Sequence, residues 1–352
     1  MIDFLIVGYG QSSYLLAIKL LSRGYKVNIV GNSKAGEASR ISSGLINPVT
    51  GRRFVKTWKY DELISILIPF YKELEERYNT QFLFEYSLLL QLESIEQEND
   101  WNLRLTDPEY NKFCSIYSPR LIKEFLLDDS KSYGLIDPVY RVAVSELMSC
   151  IELELQKQHC LLNEEFIYNE LIVEKEELIY RNLKAKFIVF CEGVFVQNNP
   201  YFSYLPIFKL KGERTLFSGA MSSNKILSAK YSIVPQNDKY WIGSNYSLDD
   251  LTEEITEVEG LNQSNFAYQY LTPESKRLNQ EFGFRPSSRD RRPIIGSHPN
   301  FHNIYLLNGL GTKASSLLPY CINLLERHFT QSEDIPAELS PKRFVKKGYK
   351  FN

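Results

Sequence analysis

Glycine is scarce in this sequence: 18 residues in 352, below the typical ~7%. Each glycine that does occur in a motif therefore carries more weight. Cysteine is equally uninformative as a scaffold. The five residues (Cys114, Cys150, Cys160, Cys191, Cys321) are odd in number and hold no C-x-x-C pair, which reads as buried thiols in a reducing compartment. Of four histidines, only His298 and His302 stand four apart, and Pro299 between them spoils a helical metal pair; no metal is expected. No apolar run approaches the ~18 residues of a membrane span. The N-terminus, Met-Ile-Asp-Phe-Leu-Ile-Val-Gly, lacks the basic start of a signal peptide. A soluble, cytoplasmic protein is the expectation. Charge of one sign is missing too: 41 Lys and Arg face 43 Asp and Glu, which argues against a body built for nucleic acid.

What is present is an ordinary globular balance, 43% hydrophobic and 24% charged, with 23 Tyr and 21 Phe. The length suits two domains of roughly 150 residues. Ile2 to Val7 is a short apolar run of the kind that forms a strand buried on both faces. After Gly8-Tyr9-Gly10-Gln11-Ser12-Ser13 a helical pattern runs from Tyr14 to Arg23, Gly24 offers a C-cap, and Tyr25 to Val30 is a second apolar strand. This is a β-α-β unit, and its sheet is parallel. A Ser- and Gly-rich loop follows from Asn32 to Arg53, then an amphipathic helix from Asp61 to Tyr78. Strands are expected over Gln81 to Glu93 and Lys112 to Pro119, and a long helix over Val142 to Gln158. Shorter strands follow at Phe166 to Tyr168, Leu171 to Glu174, Leu178 to Tyr180 and Phe187 to Cys191. Thr215 to Ser218, Tyr231 to Pro235 and Tyr240 to Ser244 also read as strands, the last two joined through Gln236-Asn237-Asp238 as a hairpin. Asn303 to Leu307 leads into a final helix from Lys313 to Phe329. The tail beyond Pro341 carries Lys342, Arg343, Lys346, Lys347 and Lys350, read as a solvated basic end.

Gly8-x-Gly10-x-x-Ser13 stands between a strand and a helix, the context of a dinucleotide fingerprint. Gly8 allows the tight turn, Gly10 lets backbone approach a pyrophosphate, and the helix N-terminus offers amides and a positive dipole end. Two departures stand out. Ser13 replaces the third glycine, and the second strand ends Val30-Gly31-Asn32, with Gly31 where a ribose-binding acid is expected. Asn32 can still hydrogen-bond a hydroxyl, and Glu37 is a more distant substitute.

The C-terminal third holds Gly283-Phe284-Arg285-Pro286, Asp290-Arg291-Arg292-Pro293-Ile294-Ile295-Gly296 and Asn308-Gly309-Leu310-Gly311-Thr312-Lys313. With the N-terminal turn, Ser39-Arg40-Ile41-Ser42-Ser43-Gly44, Phe190-Cys191-Glu192-Gly193 and Lys211-Gly212-Glu213, the chain resembles the D-amino-acid oxidase and glycine oxidase superfamily along essentially its whole length. The resemblance implies an α/β fold: a Rossmann-type FAD-binding domain (1–78, 135–205, 281–352) interleaved with an α+β antiparallel-sheet substrate domain (79–134, 206–280). It implies non-covalent FAD held by Gly8, Gly10, Gln11, Ser12, Ser13, Asn32, Ser39, Arg40, Ser42, Ser43, Gly44, Glu192, Gly193, Gly309, Gly311, Thr312 and Lys313. No cysteine lies near Arg285-Pro286 to attach a flavin covalently.

The chemistry implied is oxidation of a small amine or amino acid by hydride transfer to flavin N5, giving deamination or demethylation. In the resemblance Arg285 clamps the substrate carboxylate, a task suited to a guanidinium; a structural pairing with Asp290 is the alternative. Lys313, at a helix N-terminus, would stabilise the negative charge of the reduced ring, or simply face solvent. Arg291 and Arg292 read as structural. Tyr240, Trp241 and Tyr246 lie on or just after a strand of the substrate sheet, alternation putting Tyr240 and Tyr246 on one face; Tyr246 is the third candidate catalytic residue. Asn47-Pro48-Val49-Thr50-Gly51-Arg52-Arg53 is faintly similar to the flavin domain of the enzyme that matures wobble uridine in tRNA, so a modified tRNA base is an alternative substrate. A non-catalytic protein retaining the fold is a third reading.

Overall fold

A computed structural model describes residues 1–117, 127, 130–219 and 225–345. The chain divides into two compact units, one of Met1–Arg40, Val144–Leu210 and Phe284–Asn352, the other of Ile41–Ala143 and Lys211–Gly283. The first crossing thus falls after Arg40 rather than after residue 78. Pairing explains it. The two-residue strand Leu45–Ile46 runs antiparallel to Ser132–Val142, and helix Tyr60–Tyr78 is tied to the next strand because Glu75 Oε1 accepts from the amides of Phe82 (2.8 Å) and Leu83 (2.7 Å).

In the first unit, strand Ile2–Val7 has parallel neighbours on both sides, Val27–Val30 and Leu183–Phe190. Strand Leu161–Leu162 extends the sheet beyond Val27–Val30, and Ile304–Asn308 pairs in parallel with Leu183–Phe190. The C-terminal halves of Ile2–Val7, Val27–Val30 and Leu183–Phe190 are apolar and buried, as expected where both faces are covered. The helix Gln11–Ser22 buries Tyr14 through Ile18 without a break, since the helices Val144–Lys157 and Ala314–Gln331 both pack on it. Its polar end is fixed by Lys19 and Arg23, which pair with Glu326. Phe166 to Tyr168 is not a strand. Phe166 instead stacks on Tyr180 at 4.4 Å, and Tyr168–Glu170 is a 3-10 turn.

The second unit carries the larger, mainly antiparallel sheet, ordered Arg277–Ser288, Ile207–Ser218, Lys239–Gly243, Ser232–Gln236, Lys225–Ser228, Leu83–Leu92, Ser132–Val142, Leu45–Ile46. The expected hairpin is present: Asn237, with φ of 55°, takes the left-handed position between its strands. Helix Ile95–Leu105 was not expected, yet Ser94 Oγ accepts from Gln97 N (3.2 Å) while Gln97 Oε1 accepts from Glu93 N (2.9 Å), a start signal written in the sequence. Helix Glu257–Ala267 was missed for a physical reason. It buries Gln263 and Ser264 while exposing Val258 and Leu261, so its apolar pattern is inverted. Strand Cys114–Tyr117 lies within the expected 112–119; Ser118 and Pro119, like Lys346, Lys347 and Lys350 of the tail, fall outside the described residues. Among the described residues no helix is long and apolar enough to cross a membrane.

Trp101 shows how tightly this unit is packed. Its buried indole lies where a side chain at Gly134 would sit, with a Cβ there only 2.5 Å from Cε2. Gly134→Val is therefore expected to cost about 1–3 kcal/mol through overpacking, read as a lower midpoint in urea unfolding against wild type.

Candidate functional site

The first strand ends at Gly8, which adopts a φ of 138°; a Cβ there would lie 2.4 Å from the Cys191 carbonyl oxygen. The backbone holds this approach on both sides, as Cys191 N donates to Val7 O (2.7 Å) and Gly8 N to Val30 O (3.0 Å). Gly10 caps the following helix in extended conformation and brings no side chain over its first turn. Ser39 Oγ accepts from Gln11 N at 3.2 Å and lies 3.3 Å from where a Gly10 Cβ would stand. Ser13 is fully buried and its hydroxyl donates to Gly10 O (2.8 Å). A serine thus fits the third small position, its polar group satisfied inside its own helix. Ser12 is half-buried beside it. Gln11 Nε2 is buried and has no hydrogen-bond partner among the described residues, a costly arrangement in a finished interior.

Gly31 changes meaning here. A Cβ at this position would stand 2.7 Å from both the carbonyl carbon and oxygen of Gly8. The position is glycine because the two turns touch, so a carboxylate side chain has no room. Asn32, next along, is half-buried with an Oδ1 that has no partner among the described residues. Glu37 is committed locally, accepting from Lys34 N (3.1 Å) and Arg40 Nε (3.0 Å). Arg40 also binds Glu152 Oε2 (3.1 Å), and Tyr9 donates to the same carboxylate. Arg40 therefore spends its charge on two acids. Ser42 and Ser43 accept from the amides of Gly44 (3.1 Å) and Leu45 (3.4 Å). Gly44, at φ of 71°, abuts Val142 O so closely that a Cβ would be 1.9 Å away. Gly44 O accepts from Val142 N (3.0 Å), which fastens the chain to strand Ser132–Val142, while the two serines brace the turn locally.

Residues 191–193 form a corner that touches a second glycine turn. Asn308 Nδ2 donates to Gly193 O (2.8 Å), while Asn308 Oδ1 accepts from Gly309 N (2.8 Å). Gly193, Gly309 and Gly311 have φ of 57°, 72° and 54°, values that favour glycine. Gly311 N donates to Pro286 O at 2.9 Å, which seats the turn beside Arg285-Pro286. Thr312 is exposed, and Lys313 caps the helix Ala314–Gln331 with no side-chain cap bond. Burial, with Arg292 and Arg291 nearby, pulls the Lys313 ammonium below the usual lysine range. Glu192, in the middle of the corner, accepts from Tyr168 OH (2.5 Å) and Asn199 Nδ2 (2.7 Å). Tyr168, Asn199 and Asn308 escaped the sequence reading; only Asn308, between a strand and Gly309, carried any signal.

Arg285 is half-buried on strand Arg277–Ser288. The alternative partner Asp290 is taken by Arg343, through Nε at 2.9 Å and a terminal nitrogen at 3.2 Å. Tyr246, in the other unit, is 65% exposed. Its strand ends at Gly243, so alternation from Tyr240 does not reach it. The loop beyond is anchored by the buried Lys211, which donates to Asp250 (2.7 Å) and Thr252 (3.2 Å). Trp241 donates to Ile41 O (2.8 Å) and is buried, a structural role.

The profile of the FAD dependent oxidoreductase family, DAO, matches residues 3–325. The chain belongs to this family. Its fold matches glycine oxidase from Geobacillus kaustophilus with a TM-score of 0.82 at 18% identity, covering 98% of this chain and 99% of that one. Iminodiacetate oxidase from Chelativorans sp. BNC1 gives 0.78 at 19%, covering 96% and 99%. Glycine oxidase from Bacillus cereus gives 0.80 at 16%, covering 95% and 96%. The family implies FAD, and the residues present fit it: a backbone cradle closed to side chains at Gly8 and Gly31, buried polar atoms of Gln11 and Asn32 left unpaired, and a depressed lysine at a helix N-terminus.

Placing an acid at the end of the second strand should harm this member of the family. Gly31→Asp is expected to destabilise by about 1–3 kcal/mol through overpacking without tightening FAD, compared by thermal melting and flavin titration; a stable variant with higher affinity would refute the close-packing account.

Proposed function

We propose that this FAD-dependent oxidoreductase oxidises the C–N bond of a small amine or amino acid, with FAD bound non-covalently between the ends of its parallel strands. The reading is carried by one arrangement: two glycine turns, each opening a helix, joined through the corner 191–193. When bound, FAD supplies a two-electron acceptor for the C–H bond beside the substrate nitrogen.

The chain's residues do the rest. Gly8, Gly10 and the first turn of helix Gln11–Ser22 hold the diphosphate on amides and a positive dipole end. Asn32 hydrogen-bonds a ribose hydroxyl in place of the excluded acid. Gly309 to Lys313 would present a helix N-terminus and an ammonium to the anionic pole of the ring, whose negative charge would offset the burial and the neighbouring arginines that lower the Lys313 pKa. Arg285 fixes the substrate carboxylate by two parallel hydrogen bonds and so orients the neighbouring carbon. Tyr246, on a loop anchored through Lys211, is the further candidate for the chemistry. No general base is required if the amine arrives neutral; water then hydrolyses the imine product outside these roles. Two structural neighbours, a glycine oxidase and an iminodiacetate oxidase, are named for small amino acids that carry carboxylates, which supports the assignment to Arg285.

The purified protein is expected to be yellow, and its flavin to bleach anaerobically with at least one member of a panel of glycine, sarcosine, iminodiacetate and D-amino acids. Arg285→Leu should raise the Kd of a carboxylate substrate by about ten- to a hundredfold, the worth of a charge-assisted pair, with Arg285→Lys intermediate. Bleaching by a modified nucleoside alone would move the substrate to a tRNA base. No bleaching by any of these, with FAD fully bound, would leave a non-catalytic flavoprotein.

A further inference from the structure

Glu192 occupies an odd place for an acid. The residue before it closes over Gly8 at the diphosphate turn, and the residue after it is held by Asn308 at the second turn. A carboxylate here sits beside the site assigned to a dianion, and like charges at close range cannot both be kept without cost. By accessibility the residue is half-buried, and both carboxyl oxygens are engaged. Tyr168 OH, from the 3-10 turn Tyr168–Glu170, donates to one oxygen and Asn199 Nδ2 to the other. Cys191, just past the end of strand Leu183–Phe190, is buried, with its thiol pushed well up by that burial and by Glu192 itself. The facing cation is Lys34, from the loop after the second strand. Lys34 is shared: its ammonium binds Glu165 at 2.9 Å and lies 5.0 Å from the centre of the Phe195 ring. Burial outweighs the two donors and the shared lysine, and the Glu192 carboxyl is pushed up to about 7 even before any phosphate is present.

We propose that Glu192 holds its proton in the FAD complex, so that cofactor binding takes up a proton at this residue and weakens as the solution becomes basic. The inference rests on the flavin site described above. In the free protein the acid is close to half-ionised near neutrality. The diphosphate raises its pKa further, and every ionised Glu192 must be protonated before or as FAD enters. The sign is definite. Below the free protein's value the residue is already neutral, and affinity does not vary with pH on its account. Above it, affinity falls by up to about tenfold per pH unit until the pKa of the complex is reached. The same raised value means that the free protein gives up stability as pH rises from the unfolded carboxyl's range toward 7, and no more above it.

The test is FAD affinity between about pH 6 and 8.5 for the wild type and Glu192→Gln, with proton uptake measured by calorimetry at about pH 8 in two buffers of different ionisation enthalpy. The wild type should lose affinity by at least about fivefold over this range and take up roughly half a proton or more. Glu192→Gln should hold a nearly flat affinity, bind more tightly than wild type at the basic end, and show correspondingly less uptake. Any protonation of Lys313 remains in both proteins and cancels in the comparison. Tyr168→Phe provides a second readout should the glutamine variant fail to fold: loss of a donor to the ionised form should move the midpoint of the pH dependence upward. Equal pH slopes in wild type and Glu192→Gln, or an unmoved midpoint in Tyr168→Phe, overturn the proposal and leave the flavin site intact. Failure of the wild type to bind FAD at any pH overturns both.

Discussion

At the C-terminal ends of three adjacent parallel strands, the backbone comes so close that side chains are excluded. Gly8 lies against Cys191 on one side and Gly31 on the other, at separations that leave no space for a Cβ. Everything in the first unit's site follows from this contact. It brings the first turn of helix Gln11–Ser22 to the sheet edge with its amides facing outward, and it fixes the corner 191–193 from which Asn308 then places the second glycine turn. A side chain at Gly8 or Gly31 would push the strands apart and separate the two turns.

Electrostatics give that geometry its direction. Two helices begin at the same end of one sheet, one capped by glycine and the other by a lysine depressed through burial and neighbouring arginines. Both favour negative charge at their N-termini. Two arginines nearby are held by acids, Arg40 by Glu37 and Glu152 and Arg343 by Asp290. Backbone amides at two helix N-termini suit a ligand with a diphosphate at one end and a delocalised anion at the other.

The parts of the fold that were legible in the sequence share a cause. Buried parallel strands carry apolar runs, so Phe4–Val7, Phe187–Phe190 and Ile304–Leu307 stand out, and the glycine turns that follow them mark the candidate site. Other features left no periodic trace. The crossing at Arg40 depends on a strand of two residues, Leu45–Ile46, and helix Glu257–Ala267 turns amides inward and aliphatic side chains outward. Gly31 was legible only as a departure. From the sequence it is the absence of an acid, whereas packing makes it a requirement of the Gly8 turn. The low glycine content noted at the start therefore understates how fully glycine is used: Gly8, Gly31, Gly193, Gly309 and Gly311 all lie where the backbone approaches itself or turns left-handed. The corner's partners Tyr168 and Asn199 are brought in from a 3-10 turn and a loop, positions that no local pattern announces.

The most direct measurement is a flavin-fluorescence titration of the FAD-free protein with FAD, run alongside Gly10→Asp. A side chain at Gly10 meets only the Ser39 hydroxyl, so the variant should fold, but it sets a carboxylate in front of the helix amides. The account predicts saturation at one FAD per chain for the wild type and, for the variant, at least about a hundredfold weaker binding through like-charge repulsion at the diphosphate. Equal affinity in the two proteins, or no saturable binding in the wild type, would contradict it.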